Sequence, residues 1–120
     1  MTQPRRVAIY MRIAHKERAW IYCRVAAPNA FALRAQQEAL NAYAVKEQFE
    51  VVGTTAEQGS GLSLIRDGIA EITRAAKQRQ MDVLLVANIS RLGRNALEVQ
   101  NYIRWLNAYG VRVVCMDGTM

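Results

Sequence analysis

Met81-Asp-Val-Leu-Leu-Val-Ala-Asn-Ile-Ser-Arg-Leu-Gly-Arg94 is the stretch on which the fold turns. Met81 to Val86 is a continuous apolar run, the pattern of a strand covered on both faces. Beyond it, Leu92, Ala96, Val99, Ile103 and Leu106 repeat at helical spacing, and Tyr109-Gly110 supplies a stop. Val111-Arg-Val-Val-Cys115 then reads as a closing strand. Upstream, Trp20 to Val25 is a short β-branched and aromatic run that enters a loop at Ala-Ala-Pro-Asn. From Ala32 to about Gln48, Leu33, Gln37, Leu40 and Ala44 share one helical face. Val51 and Val52 predict a short second strand. Thr54 to Leu64, rich in Gly, Ser and Thr, predicts a loop that moves. Arg66 to Gln80 predicts a helix with Ile69, Ile72 and Ala76 inward. Strands alternating with helices give a mostly parallel α/β sheet.

Active sites in such sheets lie beyond the carboxyl ends of the strands. Arg24, Ser90 and Arg91 fall at those ends, with Arg94 close behind. Guanidiniums gathered there suit an oxyanion, because a planar fork grips phosphate with two parallel bonds. The net charge of +6 over 120 residues points the same way, toward an acidic partner such as nucleic acid, although a basic surface without a specific partner has the same charge.

Hydrophobic residues make up 52% of the chain and charged ones 22%, a balance that supports one globular domain with its own core. Cys23 and Cys115 both sit in apolar strand-like runs and read as buried, reduced thiols. His15 is the single histidine, so neither a zinc site nor a Ser-His-Asp triad can be assembled. No stretch reaches the ~18 apolar residues that read as a membrane span, and no signal-like core opens the chain, which makes a cytoplasmic location the expectation.

Four blocks in order carry a family resemblance. Tyr22-Cys-Arg-Val-Ala26, Gln36 on the following helix, Gly59-Ser60-Gly61 with Arg66-Asp67-Gly68, and Ser90-Arg-Leu-Gly-Arg94 together resemble the catalytic domain of the serine recombinases, the resolvase and invertase group. The similarity runs from about Ala19 to Asp117. It implies a three-layer resolvase-like α/β domain, a mostly parallel central sheet flanked by helices, over residues 19–120, preceded by an extension over 1–18. In that family a serine hydroxyl attacks a DNA phosphate, leaves a phosphoserine link, and strand exchange precedes resealing. The chemistry needs no metal and no nucleotide cofactor. The resemblance assigns Arg24, Gln36, Arg66, Arg91 and Arg94 to the site, the four arginines as phosphate ligands that neutralise developing charge.

The nucleophile position of the resemblance holds Ala26, a methyl group. Ordinary recombinase catalysis is therefore not expected unless another hydroxyl substitutes. Ser90 is the best placed, with Ser60 and Ser63 on the predicted loop behind it; Ser90 equally reads as a cap for a helix beginning near Leu92. Plainer readings stand beside the others: Arg91 and Arg94 as helix-start residues paired with Glu98 or Asp82, Gln36 as an exposed helix residue, Arg66-Asp67 as a local cap, and Glu57 as a loose match to an acidic loop position. Val7-Ala-Ile-Tyr-Met-Arg-Ile-Ala14 resembles Trp20-Ile-Tyr-Cys-Arg-Val-Ala26, so Arg12 and Ala14 would echo Arg24 and Ala26 in a duplicated edge strand. In the family a long dimer helix and a DNA-binding domain follow the last strand; if Met120 is the natural end, neither is expected here. The expected partners are DNA and either a second copy or another recombinase subunit. A non-catalytic regulator of an active relative is the rival reading, and a remnant without a role the third.

Overall fold

The computed structural model describes residues 16–119. The duplicated segment at 7–14, with Arg12 and Ala14, lies outside them. Four strands and three helices alternate: β1 (Arg18–Val25), α1 (Ala30–Lys46), β2 (Glu50–Gln58), α2 (Asp67–Lys77), β3 (Val83–Val86), a 3-10 turn (Ile89–Arg91), α3 (Ala96–Ala108) and β4 (Arg112–Cys115). The strands form one parallel sheet in the order β2-β1-β3-β4. No helix among the described residues is long and apolar enough to cross a membrane.

Alternation along β1 divides the core into two layers. Ala19, Ile21 and Cys23 join Leu40 and Ala44 of α1 on one face, with Val83 and Leu85 from β3. Tyr22 points the other way, toward Ile69, Ile72 and Ala76 of α2 and Val99 and Leu106 of α3. The continuous apolar run of β3 follows from this, since all of Val83–Val86 is buried between the two helical layers. Both cysteines are buried and free, as their apolar settings predict.

Helix starts are readable in the sequence where an asparagine caps them. Asn29 accepts the amide of Ala32 at 2.9 Å, and Asn95 accepts that of Glu98 at 3.0 Å. The last helix therefore begins at Ala96, capped by Asn95, and the cap role considered for Ser90 is not taken up. The first turn of α2 is capped from a distance: Glu57 of β2 accepts the amide of Gly68 at 2.9 Å, placing a carboxylate at the helix N-terminus. Gly68 has to be glycine there, because a Cβ would run into the Glu57 carboxylate. All three helices stop the same way, with an amide reaching back five residues: Phe49 to Ala44, Gln80 to Ala75 and Val111 to Leu106. The left-handed residue before each of those amides is Gln48, Arg79 or Gly110, so only the last stop had its usual glycine signal.

The second strand is much longer than Val51–Val52. Thr54 to Gln58, expected as loop, continues β2 in parallel register with β1, from Ile21 opposite Thr54 to Val25 opposite Gln58. A bulge beside Ala19 and Trp20 resets the register near Val52. Gly53 belongs in this strand because the Trp20 indole lies where its side chain would be. The Trp20 Nε1–H then donates to the Thr55 hydroxyl at 2.8 Å, and that hydroxyl donates to Glu71 of α2. Residues that read as a turn by composition are here a strand selected by one tryptophan.

Candidate functional site

The carboxyl ends of β1, β2 and β3 meet at a cluster of arginines. Arg24, the penultimate residue of β1, is 5% exposed. Its whole guanidinium edge is spent on main-chain carbonyls: Nε on Arg91 at 2.8 Å, Nη1 on Gly59 at 2.7 Å and Nη2 on Ser90 at 2.8 Å. Burial, then the like charge of Arg66 and, less strongly, that of Arg91, lower its affinity for the proton from the ordinary arginine value, against opposing pulls from Tyr22 and Glu57. Gln36 of α1 pins the same strand end with two bonds: its Oε1 accepts the Arg24 amide at 3.1 Å and its Nε2 donates to the Arg24 carbonyl at 3.2 Å. Gln36 is thus a partner of the site's backbone rather than a bystander on the helix surface.

Arg66 reaches into the cluster from the N-terminal side of α2. Its Nη1 donates to the carbonyls of Ser60 at 3.0 Å and Ser63 at 2.5 Å, and its Nη2 to that of Leu92 at 2.6 Å. A looser ion pair joins its Nε to Glu57 at 3.4 Å. Glu57 also accepts the Tyr22 hydroxyl at 2.6 Å, and Arg66 donates to that hydroxyl at 3.2 Å. Burial and the bond to Glu57 push the Tyr22 phenol well above its ordinary range. Tyr22, which opens the first block of the resemblance, and Glu57, only a loose match by sequence, both join this cluster through Arg66. The available signal for Tyr22 was period-two alternation, which puts it on the same face as Arg24.

Arg91 and Arg94 are less engaged. Arg91 Nη1 donates to the Arg24 carbonyl at 3.0 Å, while its Nε is buried with no hydrogen-bond partner among the described residues. Arg94 is exposed and forms no side-chain hydrogen bond among the described residues; its amide donates to Gly61 at 2.7 Å. Neither makes an ion pair with Glu98, and Asp82 sits with Arg18 at the opposite end of the sheet. Ala26 is exposed just past β1, where β1 turns toward α1. The Ser90 hydroxyl donates to the Asn88 side chain, and the hydroxyls of Ser60 and Ser63 accept the amides of Leu62 and Ile65. Beside Ser90 and Arg94 a groove of about 770 Å³ runs along α3 over Val99 and Ile103.

The family model for the resolvase N-terminal domain matches residues 19–120. The chain belongs to this family. Among solved structures, this resolvase domain is similar to the C-terminal catalytic domain of ISC1926 TnpA, an IS607-like serine recombinase, at 27% identity and a TM-score of 0.78, over 82% of this chain and 68% of that one. A resolvase family site-specific recombinase from Streptococcus pneumoniae is 28% identical with a TM-score of 0.75, over 86% and 74% of the two chains. The N-terminal catalytic domain of TP901-1 integrase, at 21% identity, shares the fold, with a TM-score of 0.79 over 87% and 80%. No curated protein matches this resolvase domain.

Proposed function

We propose that this resolvase domain binds the phosphodiester backbone of DNA in site-specific recombination but does not cleave it unaided. The observation that carries the reading is the pairing of an open cationic surface with a missing nucleophile. Arg94, exposed and without a side-chain hydrogen bond among the described residues, offers its guanidinium at the strand ends, with the half-buried Arg91 in the same turn, and Ala26 at the end of β1 presents no hydroxyl. Arg24 and Arg66 stand behind them as further phosphate ligands, and Gln36 holds the strand end to which they belong. No metal or nucleotide is needed for this binding. The setting is the cytoplasm, with DNA and a second recombinase subunit, either a copy or a relative, as partners.

Binding to short duplex DNA across a salt series tests the reading. Affinity falls with salt, and Arg91→Ala/Arg94→Ala weakens it and flattens the salt slope by about 2 if each arginine neutralises one phosphate. Absence of binding at low salt refutes it. Ala26→Ser addresses the chemistry: a covalent protein–DNA adduct in this variant and none in the wild type shows a competent cradle that lacks only its hydroxyl. An adduct already present in the wild type assigns the attack to a surrogate such as Ser90. The vacant position also favours a second reading, in which the domain modulates an active recombinase. Co-purification with such a subunit, lost on disrupting the contact surface, supports that reading.

A further inference from the structure

We infer that the loop over residues 59–65 is the resident occupant of the arginine cradle, and that a phosphate polyanion entering at Arg91 and Arg94 releases it. The inference rests on the phosphate-binding reading and concerns how that site is regulated. Arg24 Nη1 and Arg66 Nη1 donate to carbonyl oxygens of this loop, Gly59 for Arg24, Ser60 and Ser63 for Arg66, while other N–H groups of the two rest on the carbonyls of Ser90, Arg91 and Leu92 outside it. Carbonyl oxygens at 2.5–3.0 Å occupy the positions that non-bridging phosphate oxygens would take on the same forks. Loop and phosphate therefore compete for the same N–H groups.

The loop is also shaped for that seat. A Cβ on Gly61 would lie 2.8 Å from Arg94 Cγ and 2.9 Å from Arg24 Nη2, so only glycine lets the chain settle onto both arginines. A Cβ on Gly59 would press on Arg66 Cδ at 3.2 Å. Apolar anchoring is meagre by comparison: Leu62 is 71% exposed and Ile65 93%, and Leu64 alone among the loop's large apolar side chains packs against the core. The closure is held by these cation-to-carbonyl bonds together with two backbone bonds, the Arg94 amide to Gly61 and the Gly59 amide to Val25, and an anion bearing full charge is the species best able to displace the cationic ones. Arg66 has somewhere to remain when it lets go, because Glu57 holds its Nε. Arg94 is the entry point because its guanidinium is exposed and makes no hydrogen bond among the described residues, and Arg91, half-buried with one donor on the Arg24 carbonyl, lies behind it. Arg24 and Arg66 are positioning residues in the resting state and become phosphate ligands once the loop has left.

Hydrogen exchange on the full chain, read on peptides covering 59–66, tests this, with inorganic pyrophosphate as the probe. Exchange there rises about tenfold or more as pyrophosphate is added at low salt, while peptides of β3 and β4 keep their protection. The rise is absent in Arg91→Gln/Arg94→Gln. Arg66→Lys, which keeps the charge and loses the fork, shows fast loop exchange without any anion. Unchanged or slower loop exchange in the wild type with pyrophosphate overturns the inference, as does a well-folded Arg66→Lys with wild-type loop protection. If Arg66→Lys does not fold, the wild-type titration decides. DNA binding that still depends on Arg91 and Arg94 while the loop stays shut overturns the latch alone; loss of both overturns the phosphate-binding reading beneath it.

Discussion

Arg24→Gln separates two roles that an arginine motif leaves merged. The wild-type guanidinium ties the end of β1 to two other segments, the end of β2 through the Gly59 carbonyl and the 3-10 turn through those of Ser90 and Arg91. Hydrogen bonds from a charged donor are worth about 1.5–3 kcal/mol each on deletion, and a buried carbonyl left unpaired adds to that. Two effects act the other way: water can reach some of the freed carbonyls, and removing one cation relieves the repulsion from Arg66 and Arg91. The net loss comes to roughly 3–4 kcal/mol, a large part of the ~5–15 kcal/mol that holds a domain folded. With a urea slope of about 1–2 kcal/mol/M for a domain of this size, the unfolding midpoint drops by roughly 1.5–4 M. Arg94→Gln is the internal control. Its side chain is exposed and makes no hydrogen bond among the described residues, so its midpoint stays within the error of the wild type, although its DNA binding weakens. Equal midpoints for the two variants, or a loss below about 1 kcal/mol for Arg24→Gln, would refute the claim that Arg24 ties the strand ends together.

Three further outcomes follow from buried groups. Tyr22→Phe removes a hydroxyl that donates to Glu57 and accepts from Arg66, at 2.6 and 3.2 Å; it costs about 1.5–2.5 kcal/mol by urea unfolding, and a neutral result would mean that water replaces the hydroxyl. Alkaline pH destabilises the fold: burial raises the Cys23 thiol from 9.0 to about 11, partly offset by Arg91. The native state therefore holds its proton where the unfolded state has released it, and up to roughly 2–3 kcal/mol is lost as pH climbs through that window. Tyr22 adds to the loss in the same direction above its ordinary value of 10.0. Cys23→Ala flattens the slope over the thiol's window; a wild-type midpoint that is flat there refutes the buried neutral thiol. Gly53→Ala places a methyl against the Trp20 ring and costs about 1–3 kcal/mol, with a shift in tryptophan fluorescence; unchanged emission and stability would show that the indole can move aside.

The sequence by itself determined the layered architecture, because the signals for it are local and periodic. Met81–Val86 reads as a strand covered on both faces, Val99 and Leu106 lie on the inward stripe of the last helix, and Gly110 marks its end. Each depends on residues within a few positions of one another. Arg24 and Arg91 could be placed at strand ends for the same reason, with Arg94 close behind, whereas Arg66 came to the site only through the family resemblance. What was not legible depends on partners far apart in the chain. Thr54–Gln58 is strand because Trp20 needs Gly53 and Thr55, 33 and 35 positions away. The first turn of α2 is capped by Glu57 and not by its own Asp67. Gln48 and Arg79 end helices in a left-handed conformation that residue type does not announce.

The same distinction governs the site. Sequence could count guanidiniums near strand ends, since charge and position are properties of the chain. Only the tertiary structure decided which of them are occupied. A carbonyl contributed by Gly59, Ser90 or Leu92 has no signature in residue type, for every residue has one; its direction comes from the path of the backbone through the loops. That path turns Arg24 and Arg66 inward, leaves Arg91 half-buried against the end of β1 and sets Arg94 facing the outside.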